Sequence, residues 1–215
     1  TEEYVNSDVD LMIHEVQGHL KFDRIHFSYI DEEPVLKDVN FEVEAGQTLA
    51  LVGATGAGKS SIINLILRFY NVDSGTILLD GKDIMQYNVQ SLRSHIALVL
   101  QDVFLFSDTI YKNIVLDKEI PINEVRDAAK AIGLEDFIEQ LPGGYQYNVR
   151  ERGVMLSAGQ RQLIAFLRAY VCNPSVLILD EATSSVDIQT EYLIKQSINK
   201  LTEGRTSIII AHRLA

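Results

Sequence analysis

The chain has 215 residues, of which 47% are hydrophobic, so it is long enough for one large domain with a substantial core. Its single cysteine, Cys172, excludes an internal disulfide framework. The net charge of -11 disfavours a nucleic-acid partner, because affinity for phosphate backbones depends on clustered lysine and arginine. No apolar run approaches the roughly 20 residues that a membrane-spanning helix needs.

Residues 1–17 are acidic and weakly patterned, which is typical of a linker, and we expect the folded domain to occupy residues 18–215. From Leu20 to Phe27 and from Val39 to Val43, apolar residues alternate imperfectly with polar ones, as in half-buried strands. This pattern predicts a small β lobe near the N-terminus.

Four short apolar runs rich in branched residues are typical of parallel strands covered on both faces. These runs are residues 48–52, 96–100, 176–179 and 207–210. Helical periodicity is found in residues 59–69, 123–132, 134–141, 157–171 and 187–201. Strands that alternate with helices predict an α/β fold. Residues 108–141 are helical without an intervening strand, which indicates a lobe inserted into the sheet domain.

Residues 53–60 read Gly-Ala-Thr-Gly-Ala-Gly-Lys-Ser, which fits the phosphate-loop pattern G-x-x-x-x-G-K-[ST]. The segment follows a predicted strand and opens a predicted helix, so its backbone N–H groups and the positive helix end would face phosphates. We expect Lys59 to reach the β and γ phosphates and Ser60 to bind Mg²⁺. The alternative is an ordinary glycine turn before a helix, which the strand and helix on either side disfavour.

Two carboxylates follow the apolar run 176–179, with Asp180 at the end of the predicted strand and Glu181 next to it. Adjacent carboxylates repel each other unless a cation and different tasks separate them. We therefore assign Asp180 to Mg²⁺ and Glu181 to the attacking water. A solvated acidic loop is the alternative, although ligands of open α/β sheets bind outside the carboxyl ends of the strands.

Gln101 and His212 also come directly after apolar strand-like runs. The amide oxygen of Gln101 is suited to Mg²⁺ or water, and His212 is placed to contact the γ phosphate or the attacking water. Each residue taken alone has a structural explanation. Ser157 and Gln160 fit a capping box at a helix start, but the same N–H groups and hydroxyl also suit a γ phosphate, and the sequence pattern leaves both possibilities open.

Together these segments resemble the nucleotide-binding domain of ATP-binding cassette (ABC) transporters, from about Gly18 to the last residue. The family signature Leu-Ser-Gly-Gly-Gln corresponds to Leu156–Gln160, in which Ala158 replaces a glycine. The other matches are Gln101 to the Q-loop, residues 185–187 to the D-loop, His212 to the switch histidine, and Tyr29 to the A-loop aromatic that stacks on adenine. Without the resemblance, Tyr29 would be interpreted as an edge-strand tyrosine.

The resemblance implies a P-loop NTPase fold with a RecA-like parallel core sheet, an N-terminal antiparallel β lobe and an inserted α-helical lobe at about residues 102–165. Gln101-Asp-Val-Phe-Leu-Phe106 and Leu141-Pro-Gly-Gly-Tyr145 are similar to exporter-type cassettes. In these proteins a transmembrane permease domain is commonly fused before the motor. Residues 1–17 would then be the linker from that domain, and the motor would lie at the cytoplasmic face of the cell membrane, the chain itself being soluble.

The chain departs from the usual family pattern in two places. Family chains usually continue beyond the switch histidine, so we expect this chain to be shortened at its C-terminus. Arg150 departs from the Val-Gly-Glu pattern of the X-loop, near the contact with the permease.

In the family, two cassettes close head to tail, so that each ATP lies between the phosphate loop of one and the signature of the other.

The resemblance then assigns the individual residues. ATP would bind to Tyr29, Gly53, Ala54, Thr55, Gly56, Ala57, Gly58, Lys59, Ser60 and Ser61. The catalytic residues would be Glu181, His212 and Gln101, and Mg²⁺ would be held by Ser60, Gln101 and Asp180. The opposite ATP would meet Ser157, Ala158, Gly159 and Gln160, with Asp187 in the D-loop.

Ala158 leaves the choice between a homodimer and a heterodimer open. If its backbone needs a positive φ or a close approach to phosphate, the added methyl group hinders the second site, whereas ordinary helical angles make it harmless. A heterodimer with unequal ATP sites is therefore one hypothesis. A non-hydrolytic regulatory module and a soluble ABC ATPase that takes no part in transport are two more.

Overall fold

The computed structural model describes Met12 and residues 15–30, 32–180 and 187–211, apart from the side chain of Arg152. The strands are β1 (Leu20–Ser28), β2 (Pro34–Val43), β3 (Thr48–Val52), β4 (Ser74–Leu79), β5 (Lys82–Asp83), β6 (Ile96–Val99), β7 (Val176–Asp180) and β8 (Thr206–Ala211). The helices are α1 (Lys59–Ile66), α2 (Val89–Ser94), α3 (Ile110–Val115), α4 (Ile122–Ala131), α5 (Glu135–Glu139), α6 (Ala158–Val171) and α7 (Ile188–Thr202). These elements confirm the predicted α/β class.

The first sheet is antiparallel and has the strand order β2-β1-β4-β5. Its buried residues in β1 are Leu20, Phe22, Ile25 and Phe27, so the alternation changes phase after Phe22. A register shift against β4 between Asp23 and His26 accounts for this imperfect pattern. The sequence-based interpretation missed β4 and β5, and the β lobe is therefore completed by chain that follows α1.

The second sheet is parallel, with the order β3-β8-β7-β6. All residues of β7 from Val176 to Leu179 are buried, as predicted for a strand covered on both faces. Leu177 and Leu179 pack into a core with the helices α3 to α6, whereas Val176 and Ile178 pack with the antiparallel sheet and α1. Alternate residues of one strand thus join the two cores.

The prediction of two covered faces is wrong for β3. This strand lies at the edge of the parallel sheet, and Thr48, Ala50 and Val52 are exposed while Leu49 and Leu51 are half-buried. Successive side chains of a strand point to opposite faces, so Thr48, Ala50 and Val52 share a face that the described residues leave open, and apolar composition alone does not show that both faces are covered.

The predicted helical stretch is confirmed, because residues 108–141 contain α3, α4 and α5 and no strand of either sheet. Two features of the helices differ from the prediction. Helix α1 ends at Ile66 instead of Phe69, and Arg68 beyond it has a left-handed φ of 51°. Helix α2, of six residues, was not predicted, and the six-residue α3 was predicted only as part of the helical stretch 108–141.

Candidate functional site: a phosphate loop at the carboxyl edge of a parallel sheet

The four parallel strands end close together in register. Val52 of β3 pairs with Ala211 of β8, Ile210 pairs with Asp180 of β7, and Leu179 pairs with Val99 of β6. The phosphate loop follows β3 directly. One edge of the sheet therefore carries the phosphate loop, Asp180 and the segment that leads to Gln101, which is where open α/β sheets bind their ligands.

Lys59 lies folded back on the phosphate loop. Its Nζ donates hydrogen bonds to the carbonyl oxygens of Gly53 at 2.6 Å and Ala54 at 2.9 Å. The side chain is buried, with 7% of its surface exposed. A buried ammonium needs such acceptors, and these two fix it inside the loop.

Glycine is required at the start of α1. Gly58 precedes the helix with a left-handed φ of 85°, and a Cβ on it would lie 2.7 Å from Cδ2 of the buried Leu36. Among the described residues, no side chain caps this helix end. Its first N–H groups thus remain for an external acceptor, and a phosphate group fits them.

The residues proposed for Mg²⁺ have suitable chemistry. Ser60 is exposed in the first turn of α1, Asp180 is half-buried at the end of β7, and Gln101 is exposed beyond β6. A hydroxyl, a carboxylate and an amide oxygen are the hard donors that Mg²⁺ accepts. One detail was predicted wrongly, because β6 ends at Val99 and Leu100 is 49% exposed, so Gln101 lies in the following bend.

Tyr29 lies one residue beyond the end of β1, beside the phosphate-loop helix. Its hydroxyl donates to Oγ of Ser61 at 3.1 Å and accepts from Nδ2 of Asn64 at 2.9 Å. The rings of Phe27 and Tyr70 meet the Tyr29 ring edge-on, at centroid distances of 4.7 and 4.9 Å. Asn64 was not identified from the sequence, since no spacing rule links it to Tyr29.

The capping box at Ser157 is confirmed. Oγ of Ser157 accepts from the backbone N–H of Gln160 at 3.1 Å, and Oε1 of Gln160 accepts from the N–H of Ser157 at 3.0 Å. Ala158 is the first residue of α6 and has no positive φ, so its methyl group causes no backbone strain. Ser157 and Ala158 are exposed, whereas Gly159 is buried.

Asp187 caps α7. Its carboxylate accepts from the backbone N–H of Thr190 at 2.9 Å. Hydrogen bonds from the side chain and backbone of Thr190 lower the pKa of Asp187 below its ordinary value. The predicted catalytic residues Glu181 and His212, and the D-loop residues Ser185 and Val186, lie outside the described residues.

Across the described part of the chain, none of the helices has the length and apolar character needed to cross a membrane. The family model for the ABC transporter matches residues 36–184. This match includes the phosphate loop, Gln101, the signature and Asp180.

Two curated relatives illustrate the similarity. The chain is 47% identical over 199 residues to exp8 of Streptococcus pneumoniae, named as an ABC transporter ATP-binding protein, and covers 34% of it with 93% of its own length. It is 46% identical over 203 residues to YgaD of Bacillus subtilis, whose name describes a multidrug export ATP-binding/permease protein, and covers 35% of it with 94% of its own length. The chain thus spans about one third of the length of these relatives.

A solved structure is similar as well. It is a bacterial Atm1-family ABC exporter with ATP bound, which the chain matches with a TM-score of 0.85 and 39% sequence identity. The match covers 96% of this chain and 36% of that one. The phosphate loop at the ends of the parallel strands and the capped start of α6 agree with these similarities, and the chain belongs to the ABC transporter family.

Proposed function

We propose that this chain is the ATP-binding and ATP-hydrolysing motor of an ABC exporter. The observation that carries the proposal is the preformed phosphate loop, in which Lys59 is held by Gly53 and Ala54 next to the uncapped start of α1. Such a site offers backbone N–H groups and a fixed ammonium to phosphates before any ligand arrives.

The nucleotide would lie across α1. The loop residues 53–58, Lys59 and Ser60 bind the phosphates, Ser61 lies next to them on α1, and the Tyr29 ring stacks on the adenine. Ser60, Asp180 and Gln101 would hold Mg²⁺, which would supply positive charge against the charge that develops on the phosphates.

Hydrolysis needs a group that accepts a proton from water and a group that fixes the γ phosphate. Glu181 follows Asp180 in the sequence, so it takes the first role, and His212, which follows β8, takes the second. Gln101 orients the attacking water from the β6 side of the same edge. General-base catalysis of this kind contributes about 10² to 10⁴ in rate.

A second cassette completes each site. Ser157, Ala158, Gly159 and Gln160 serve the nucleotide of the opposite cassette, and the exposure of Ser157 and Ala158 supports this role. Asp187 contacts the partner through the D-loop. Because Ala158 has no positive φ, its backbone gives no reason for unequal sites, and we propose that two copies of this chain can close together.

Dimerisation and hydrolysis would drive a permease domain. The name of YgaD joins an ATP-binding and a permease function in one chain, and the solved neighbour is an exporter. By this relation, residues 1–17 lead from the permease, and the motor lies at the cytoplasmic face of the membrane.

The experiment is a titration of the 215-residue chain with MgATP, followed by measurement of phosphate release at high protein concentration. We expect saturable ATP binding and a rate of phosphate release that rises faster than linearly with protein concentration, because two chains form each active site. A chain that binds no ATP contradicts the proposal. ATP binding without phosphate release supports the regulatory module instead.

A further inference from the structure

The hydroxyl of Tyr29 is tied to the helix that carries the phosphate loop. It donates to Oγ of Ser61 and accepts from Nδ2 of Asn64, at 3.1 and 2.9 Å. Ser61 and Asn64 are three residues apart on α1, so they lie on the same face of the helix. Two side-chain hydrogen bonds thus join the loop between β1 and β2 to α1.

The two hydrogen-bond partners of Tyr29 differ in burial and in their distance from the phosphate loop. Ser61 is 4% exposed and stands two residues after Lys59, within the predicted ATP-binding set. Asn64 is half-buried one turn further along α1, and its amide donates to Tyr29. An α-helix rises about 1.5 Å per residue, so Asn64 lies roughly 7.5 Å along the axis from Lys59.

Tyr29 is 45% exposed, and its ring has aromatic neighbours. The rings of Phe27 and Tyr70 each form a T-shaped contact with the Tyr29 ring, and their own centroids are 5.8 Å apart. These contacts support the Tyr29 ring while nearly half of the residue stays open to a ligand. The hydroxyl bonds therefore limit rotation of a ring whose surface remains accessible to a ligand.

We infer that Asn64 is a positioning residue for the adenine base, acting through the hydroxyl of Tyr29. This inference rests on the proposed function and goes beyond it, because it identifies a residue outside the nucleotide-binding motifs that sets the affinity for the base. The Tyr29 ring, which would stack on the base and is called the base platform here, is held by α1, the same helix that follows the phosphate loop. Asn64 pre-organises that unit, so the free ring does not have to be ordered when ATP binds.

The test separates the base from the phosphates. Calorimetric titrations of the 215-residue chain use MgATP and magnesium tripolyphosphate, which has no base to stack on Tyr29. We expect Asn64→Ala to weaken ATP binding roughly threefold to tenfold, the range for one net hydrogen bond. Its affinity for tripolyphosphate stays unchanged. Asn199→Ala, an exposed asparagine on α7, is the matched control and leaves both affinities unchanged.

A double-mutant cycle distinguishes positioning from a general structural role. Tyr29→Phe keeps the ring and removes the hydroxyl with its bonds to both Ser61 and Asn64, so we expect a selective loss of ATP affinity at least as large as in Asn64→Ala. In the Tyr29→Phe background, Asn64→Ala has no further effect. If the Asn64 variant does not fold, the Tyr29→Phe variant alone must show the selective loss.

Three results would overturn the inference. Asn64→Ala weakens neither ligand, or weakens both equally, or lowers ATP affinity by the same factor in both Tyr29 backgrounds. Failure of the proposed function would give a different result, because the unaltered chain would then bind neither ATP nor tripolyphosphate. If the unaltered chain binds ATP no more tightly than tripolyphosphate, the phosphate site stands and the base platform is wrong.

Discussion

Lys59 is the buried cation on which the phosphate site depends. Two carbonyl oxygens occupy two of its three N–H donors, which leaves one for a phosphate oxygen. Since hydrogen bonds to charged groups contribute about 1.5 to 3 kcal/mol, we expect Lys59→Ala to weaken ATP binding by at least about tenfold. Calorimetry measures the affinity, and Lys82→Ala in the exposed strand β5 is the control. Equal affinities in the two variants would exclude the assigned role.

Glu181 is expected to have the opposite profile, because we propose that it takes part in the chemistry and not in binding. Glu181→Gln retains the size of the side chain but removes the base, so turnover should fall by about 10² to 10⁴. ATP affinity should remain within about twofold, because the phosphate loop, Asp180 and Tyr29 are untouched. Phosphate release and calorimetry on the same sample check both statements. A variant that turns over ATP at a near-normal rate means that another group accepts the proton.

The capping box makes the start of α6 a stability element as well as a proposed phosphate contact. Gln160→Ala removes the bond to the Ser157 N–H, and Ser157→Ala removes the cap itself. We expect Ser157→Ala to lower the free energy of unfolding by about 1 kcal/mol, measured by urea denaturation. ATP affinity of the monomer should not change, since we propose that the signature serves the opposite nucleotide. Gln189→Ala, exposed in the first turn of α7, should change neither quantity.

The junction of α2 and β6 is expected to be acid-sensitive. Burial lowers the pKa of His95, the effect of nearby Asp80 being opposite and smaller, and Nε2 of His95 has no hydrogen-bond partner among the described residues. The unfolded chain therefore binds a proton at His95 more readily than the folded chain. Folding stability should fall as the pH drops below about 6.5, the ordinary pKa of histidine, and recover above it.

Urea denaturation between about pH 5.5 and 7.5, on either side of that ordinary pKa, tests this expectation. His95→Gln should flatten the dependence of unfolding free energy on pH, whereas His26→Gln, at an exposed strand position, should leave the slope unchanged. If the His95 variant keeps the slope of the unaltered chain, His95 does not contribute to the acid sensitivity.

Hydrophobic periodicity predicted elements whose burial pattern is regular along the sequence, such as α6 and β7. It failed where contacts with neighbouring elements determine the burial pattern. The phase change in β1 comes from a register shift against β4, and the exposure of one face of β3 depends on what packs against the sheet there. Helices α2 and α3 are too short for a helical period, although Asn88 and Thr109 cap them. These two capping residues were the sequence signal that could have indicated the two helix starts.

Local sequence and tertiary contacts differ in the same way in what they reveal about the candidate site. Residues of the phosphate loop and Asp180 could be predicted as site residues because their proposed chemistry depends on contiguous sequence next to a strand. Asn64 was not identified, because its role depends on the tertiary approach of Tyr29 to α1. For Ala158 the sequence left two possibilities, and the start of α6 selects ordinary helical geometry.

By the proposed function, each chain carries two incomplete sites. The phosphate loop lies at the carboxyl edge of the parallel sheet, whereas the signature opens α6, and Ser157 and Ala158 there are exposed. A surface that is exposed in one chain and carries a phosphate-binding helix start is suited to a nucleotide held by another chain. The motor is therefore expected to work only as a dimer with ATP in the interface.

The sedimentation mass of the Glu181→Gln protein, with and without MgATP, tests this claim most directly. The variant retains ATP because hydrolysis is blocked, so analytical ultracentrifugation should show a dimer with MgATP and a monomer without it. The dimer should disappear when Ser157→Arg is added, since a bulky cation at the start of α6 obstructs the interface. A protein that stays monomeric while calorimetry shows it saturated with ATP would contradict closure of this chain on its own copy.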